Sequence, residues 1–352
     1  MKYLFISLYL TIIMVFGLQA QIPHSIEKIN FDYEIDSALN FVIDNDGFFY
    51  IYNRRESSII KFDSNGKFIK KIGSRGRGPS ELLDVSLLLY DKYTDLLYAY
   101  DTPTFSVKEI STDGEFLNQY DYPDKQMINP FYGYIENGLA YLVFYGPYAI
   151  SQNIVHITDI KNSKTLKSYY DYDYMTNNKN AIFKHNYIGS PYSLHSTQFE
   201  NGDILLAAST YEGFFYIKNS LEEIKTVKIP QNDDRNSIKE VSKPDPEKKY
   251  RMIDGPETEI YRYVVGVAEI DSTILVFEQS NFDMLAFGYH IFNSSDYKYL
   301  GFHPLDEINI GYMKDYKYIH AFARIYLMQA ENKNLYFMSK ETSNLSLIKI
   351  SF

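Results

Sequence analysis

Hydrophobic and polar residues alternate one by one along much of this chain. Residues 28–35 show the pattern plainly: Ile29, Phe31, Tyr33 and Ile35 alternate with Lys28, Asn30, Asp32 and Glu34. Successive side chains of a strand point to opposite faces, so the pattern predicts one apolar face and one wet face. Beyond the first twenty residues no long helical period is found. Short alternating runs broken by turn residues recur instead, which predicts an all-β chain.

A larger unit also repeats. Asp46-Gly47 marks a turn, followed by a strand from Phe48 to Tyr52. A strand ending Ile59-Ile60-Lys61-Phe62, the turn Asp63-Ser64-Asn65-Gly66 and the strand Lys67 to Ile72 complete the unit. Asn-Gly and Asp-Gly suit tight hairpins because these residues tolerate positive φ. At an offset of 48, Tyr50 matches Tyr98, Phe62 matches Ile110, Gly66 matches Gly114 and Phe68 matches Phe116. Weaker copies run from Asn137-Gly138 to Tyr141 and from Asn201-Gly202 to Leu205. Asp271 to Leu275 and Asn332 to Tyr336 repeat the step without the Gly. The anchors are thus Tyr50, Tyr98, Tyr141, Leu205, Leu275 and Tyr336.

Six units of three or four strands predict an all-β six-bladed β-propeller, with blades roughly at 37–73, 84–122, 127–172, 191–230, 259–303 and 316–352. After Tyr336 only one further strand, Leu345 to Phe352, is available, so the last blade is a strand short. The alternating segment 28–35 is expected to supply the missing outer strand, pairing two edges that would otherwise stay open. A pair of β-sandwiches or an open β-solenoid are the alternatives.

The pattern Asp-x-x-Gly-x-x-Tyr-(Ile/Val), then Phe-Asp-x-x-Gly-Lys-Phe, then Ile-Gly resembles the NHL-type repeat of six-bladed propellers. The segment Lys71-Ile72-Gly73-Ser74-Arg75-Gly76-Arg77-Gly78-Pro79-Ser80-Glu81 resembles the Gly-Arg-Gly-Pro-Gly-Glu loop between the first two blades of a group of exported bacterial six-bladed propellers of unknown activity. Ser80 stands where that loop has its second Gly. The strong resemblance covers roughly residues 35–125. It implies fold and export, not a reaction, since propellers host lyases, hydrolases, sensors and plain binding modules.

The first twenty residues read as an address. Met1-Lys2 gives a positive start, Tyr3 to Gly17 is almost wholly apolar, and Leu18-Gln19-Ala20 offers a small residue before Gln21. That is the layout of a secretory signal peptide over 1–20, leaving one domain over 21–352; an uncleaved anchor is the alternative. The expected location is the periplasm or beyond, and no later stretch is apolar enough to span a bilayer.

Composition narrows the chemistry. The 352 residues contain no Cys and no Trp, but 35 Tyr and 24 Phe, with a formal net charge of −10. Without Cys there is no disulfide, thiolate–zinc site, iron–sulfur cluster or thiol nucleophile. The acidic balance argues against a nucleic-acid partner. Gly-x-Ser-x-Gly, His-Glu-x-x-His and the phosphate loop ending Gly-Lys-Ser/Thr are all missing from the sequence. Asp44 and Asp46 read as turn formers, because an EF-hand loop centred on Gly47 would need acids at Val42 and Asn53. No cofactor or metal is expected. The seven His are His24, His156, His185, His195, His290, His303 and His320, with no two at short ligand spacing. A zinc site assembled across blades, as the NHL-type resemblance allows, would start from His195 and His320.

In a propeller the connections entering the innermost strands converge on one mouth of the channel. That places Arg75, Arg77 and Glu81 of the first connection at a candidate ligand site. It adds Tyr132, Tyr192 and His195, Arg262, and His320 and Arg324 from later blades. Arg offers forked donors to carboxylate or phosphate, and Tyr a flat face with a polar tip. The structural alternative is that Arg77 and Glu81 pair to brace their loop, with Arg262 and Arg324 bridging blades. Most Tyr are expected in blade packing. Tyr169, Tyr170, Tyr172 and Tyr174 mark one insertion, 169–190. The charged, Pro-containing segment Gln231 to Glu259 marks another, read as a long loop that serves as a lid or a surface excursion.

The functional expectation is an exported, non-enzymatic module binding a glycan, peptide or protein at the channel mouth. A channel-mouth lyase or hydrolase, possible with or without a metal, and a purely structural role in the envelope are the alternatives.

Overall fold

The computed structural model describes residue 23 and residues 25–35, 38–123, 130–144, 153–171, 194–198, 204–208, 213–217, 224–230, 238–240, 258–260, 262–280, 287–305, 327–331, 333–341 and 344–352. Among these residues the strands form six four-stranded antiparallel sheets and two short two-stranded ladders.

The chain enters on β1 (Ser25–Asn30). The first blade then runs β2 (Ala38–Ile43), β3 (Phe49–Asn53), β4 (Ser58–Phe62) and β5 (Phe68–Ile72), from the innermost strand outward. A connection carrying β6 (Ser74–Arg75) and β7 (Glu81–Leu82) leads to the second blade. That blade is β8 (Val85–Asp91), β9 (Leu96–Asp101), β10 (Ser106–Ser111) and β11 (Phe116–Asp121). The third is β12 (Pro130–Glu136), β13 (Leu139–Phe144), β14 (Asn153–Asp159) and β15 (Lys164–Asp171). The fourth is β16 (Leu194–Gln198), β17 (Ile204–Ala208), β18 (Gly213–Ile217) and β19 (Ile224–Lys228). After β20 (Ile238–Glu240) and β21 (Thr258–Ile260) comes the fifth: β22 (Arg262–Ile270), β23 (Thr273–Ser280), β24 (Phe287–Asn293) and β25 (Tyr299–Pro304). The sixth is β26 (Leu327–Glu331), β27 (Asn334–Glu341) and β28 (Asn344–Ser351), with β1 as its outer strand.

The six anchors read from the repeat all fall in the second strand of a blade: Tyr50, Tyr98, Tyr141, Leu205, Leu275 and Tyr336 in β3, β9, β13, β17, β23 and β27. The innermost strands of successive blades touch in turn, and β26 touches β2, so the ring is closed. Apolar seams fill the spaces between blades. Tyr50, Tyr52, Ile59 and Ile72 meet Leu88, Leu97 and Ile110 between the first two. Phe277 and Tyr289 meet Phe337 and Ile350 between the last two.

The turns explain themselves locally. Asp44 Oδ1 accepts from the backbone N–H of Asp46 (3.0 Å) and Phe48 (2.9 Å), closing the first turn of the first blade. Asp63 does the same for Asn65 and Lys67 in the outer hairpin. Short Asx side chains compete well for backbone N–H groups, which is why they sit at these positions.

The N-terminal strand closes the last blade, but over Ser25–Asn30 instead of 28–35, pairing antiparallel with β28 from Ser25↔Ser351 to Asn30↔Ser346. Residues 31–35 leave that sheet and cross onto the first blade. Phe31 packs on Phe62 (ring centroids 4.4 Å) and Phe49 (6.0 Å), and Tyr33 stacks on Phe68 at 4.7 Å. The Asp32 N–H donates to the Gly66 carbonyl, and the Asp32 carboxylate accepts from the Phe68 N–H at 2.6 Å. The alternation continues because this strap also buries one side.

Candidate functional site

The connection from β5 to β8 runs from the outermost strand of one blade to the innermost strand of the next. It carries Gly73 to Leu82, and its backbone is tied at several points. β6 and β7 pair in parallel, Ser74 with Glu81 and Arg75 with Leu82. The Gly76 N–H donates to the Leu82 carbonyl (3.1 Å), and the Glu81 N–H to the Gly78 carbonyl (3.1 Å). The Glu81 carboxylate turns back and accepts the Gly78 N–H at 2.6 Å. It lies so close over Gly76 that a Cβ there would displace it.

A second tie comes from below. Lys108, fully buried in β10, donates to the Gly78 carbonyl (3.1 Å) and to Gln119 Oε1 (2.5 Å). Burial away from water holds its ammonium pKa below the usual lysine value, against the pull of Asp101 and Glu81. The sequence reading missed Lys108. Its only local trace is the Lys108-Glu109 pair between Val107 and Ile110, which does not by itself mark a buried charge.

Arg75 and Arg77 are exposed on this fixed loop. The brace weighed from the sequence, Arg77 to Glu81, is not made: among the described residues neither arginine has a carboxylate within salt-bridge distance, because Glu81 is spent on the backbone. Asp84, Asp101 and Glu56 have partners of their own. Asp84 Oδ2 is bonded to Arg54 at 2.6 Å, while its buried Oδ1 has no partner among the described residues. Asp101 accepts from the N–H groups of Leu83 and Asp84 and from Thr104. Glu56 takes Lys71 at 2.7 Å and the Tyr33 hydroxyl, and the Lys71 bond holds its carboxyl below the ordinary range. Asp121, the last residue of β11, is exposed.

The other nominated residues are only partly placed. Tyr132 lies within β12, opposite Val143; His195 lies in β16 opposite Ala207; Arg262 opens β22 opposite Ser280. All three are therefore on innermost strands. Tyr192, His320 and Arg324 lie outside the described residues, as do residues 1–20. Tyr169 and Tyr170 belong to β15, not to a loop tip, while Tyr172 and Tyr174 are outside the described residues. The segment 231–259 is not loop throughout. β20 and β21 zip its flanks together, Ile238↔Ile260 to Glu240↔Thr258, in the connection between the fourth and fifth blades.

Two histidines are core residues with partners. His290 Nε2 lies 2.9 Å from Glu278 Oε2 and its Nδ1 3.2 Å from the Tyr299 hydroxyl; His156 Nδ1 lies 2.8 Å from Ser168 Oγ. Among the described residues no three His, Asp or Glu side chains cluster as a metal site, and no helix is long and apolar enough to cross a membrane.

The six four-stranded sheets agree with one family model, described as DUF5128, 6-bladed beta-propeller, which matches residues 34–233, more than half of the chain. The chain belongs to the DUF5128 propeller family. No curated protein matches it. Solved structures share the ring at low identity. A DUF4221 family member from Bacteroides vulgatus is 10% identical with a TM-score of 0.58, over 94% of this chain and 97% of that one. A Bacteroides fragilis protein assigned as exported is 11% identical with a TM-score of 0.55, over 94% and 97%. U3-55K is 11% identical with a TM-score of 0.51, over 94% and 100%. At such identities the DUF5128 chain shares a fold with these proteins, and function has to be argued from its own residues.

Proposed function

We propose that this DUF5128 propeller is an exported, non-enzymatic binding module that takes an acidic glycan or peptide on the face carrying the Ser74–Leu82 connection. The observation that carries the reading is the pair of exposed guanidiniums, Arg75 and Arg77, on a loop whose backbone is fixed and whose own carboxylate is engaged elsewhere. A rigid scaffold presenting an exposed connection is a common place for binding. Two guanidiniums with no carboxylate partner among the described residues favour carboxylate or phosphate through forked hydrogen bonds. Tyr132, His195 and Arg262, on innermost strands, and Tyr192, His320 and Arg324 complete the proposed mouth.

The test uses purified chain from Gln21 onward and three immobilised probes: polygalacturonate, poly-glutamate and neutral dextran. Binding to one acidic probe, weakening with salt and lost in Arg75→Ala/Arg77→Ala, is the expected result. Equal binding by the double variant removes the site. Export is tested separately: the mature N-terminus should be Gln21.

A further inference from the structure

The same loop contains a division of labour that its composition does not announce. Glu81 is the sole acid between Gly73 and Leu82, and it lies four residues from Arg77 and six from Arg75. Simple charge pairing would join it to one of them. Instead its Oε2 takes the Gly78 N–H at 2.6 Å, its own N–H holds the Gly78 carbonyl at 3.1 Å, and its carboxylate covers Gly76. The Lys108 ammonium reaches the same Gly78 carbonyl from the buried side at 3.1 Å. Gly78 is therefore gripped at both polar atoms by two side chains from different strands.

We infer that Glu81 and Lys108 are positioning residues that lock Gly76–Gly78, and that by locking it Glu81 keeps its charge off Arg75 and Arg77, reserving both guanidiniums for a carboxylate-bearing ligand. This rests on the binding reading above and adds how the site is kept ready. Holding a loop in its bound shape lowers the ordering cost of association, so the lock acts on affinity without touching ligand. A charge-assisted bond to a backbone N–H is about twice as strong as a neutral one, enough to outcompete an exposed ion pair with Arg77.

The experiment compares Glu81→Gln, Glu81→Ala and Lys108→Met with the parent chain. It reads amide hydrogen exchange at Gly78 and affinity for polygalacturonate as a function of salt. Glu81→Gln keeps an acceptor for the Gly78 N–H, and should keep Gly78 protection and affinity within about threefold. Glu81→Ala removes the acceptor, and should expose Gly78 to exchange and weaken binding by about tenfold or more. Lys108→Met should accelerate Gly78 exchange while the folded circular-dichroism signal persists. Glu81→Ala binding as well as or better than the parent overturns the inference, because the carboxylate is then idle or a competitor. Glu81→Gln failing as badly as Glu81→Ala overturns it too. If the parent binds no acidic probe, the binding reading falls; unchanged Gly78 exchange in Glu81→Ala with a binding parent discards the lock alone.

Discussion

Lys108 and Glu109 are neighbours in β10, and the pleat sends them into opposite seams. Lys108 shares the face of Ala99, its partner in β9, toward the first blade, and Glu109 shares that of Tyr98, toward the third. Glu109 is 2% exposed and accepts from Tyr98 (3.3 Å), Asn118 (2.8 Å) and Tyr120 (2.5 Å). Burial first, and the Glu109 bond and charge second, push the Tyr120 phenol up to about 12. Replacing Glu109 by Gln puts an amide N–H against hydroxyl donors. The cost should be about 1–3 kcal/mol in urea unfolding, and the Tyr120 pKa should drop while staying above the ordinary value, because burial persists. An unchanged Tyr120 titration would show that the carboxylate does not set it. By contrast, Arg54→Ala breaks an ion pair whose side chains are 53% and 32% exposed, and should change stability by less than about 1 kcal/mol. Neither fate was legible in the sequence: which acid is buried and which pairs with an arginine depends on partners 9 to 30 residues away.

The N-terminal segment shows what a period-two pattern can and cannot carry at the scale of an element. Ile29 through Ile35 alternate without a break, yet the chain changes sheet after Asn30. From Ile29 to Ile35 more buried and exposed side chains alternate straight through the crossing, so the pattern does not mark it, although Ile26 to Lys28 of β1 are all exposed. The crossing is fixed by tertiary contacts: Phe31 on Phe62, Tyr33 on Phe68, and Gly66 at φ +83°, where a Cβ would overlap the Asn30 carbonyl. Phe31→Ala should destabilise by about 2–3 kcal/mol, less than the ~3–5 of a fully buried Phe because Phe31 is half-buried. Gly66→Ala should cost about 1–3 kcal/mol through left-handed strain and collision with the strap. If the strap clasps the ring, both changes should raise exchange of β28 amides as well as those of β5. Exchange raised in β5 alone would reduce the strap to a local decoration of the first blade.

At the scale of the whole molecule, the ring was readable because its signals are local and repeated: a turn residue, then an anchor three or four positions on, six times. The proposed mouth was not, because its residues belong to different blades and no local pattern in the sequence links them. The closed ring also concentrates phenols in its seams. Tyr50 donates to Asp44 (2.8 Å) and to the Thr112 carbonyl of the next blade (3.1 Å), and Tyr52 to the Leu83 carbonyl (3.1 Å). Tyr90 accepts the Asn45 N–H and donates to Asp95. Burial raises the pKa of Tyr50, Tyr52, Tyr90, Tyr98, Tyr100, Tyr122, Tyr134 and Tyr289 above the ordinary value. In the unfolded chain these phenols ionise near pH 10, whereas in the folded ring they stay protonated. Above that pH the unfolded state binds fewer protons, so stability is fully present below about pH 10 and falls as pH rises toward the folded values. Each tyrosine steepens the fall by up to about 1.4 kcal/mol per pH unit. Lys108 acts in the opposite sense, since its lowered pKa makes stability rise with pH up to about 10.4, but it is one group against eight. The urea midpoint should therefore hold steady to about pH 9.5 and collapse within the next one to two units. Phenolate absorbance should rise in two steps, exposed tyrosines first and seam tyrosines together with loss of the β signal. A single titration near pH 10 with the fold intact would mean that the seams admit water and that the phenols do not hold the blades together.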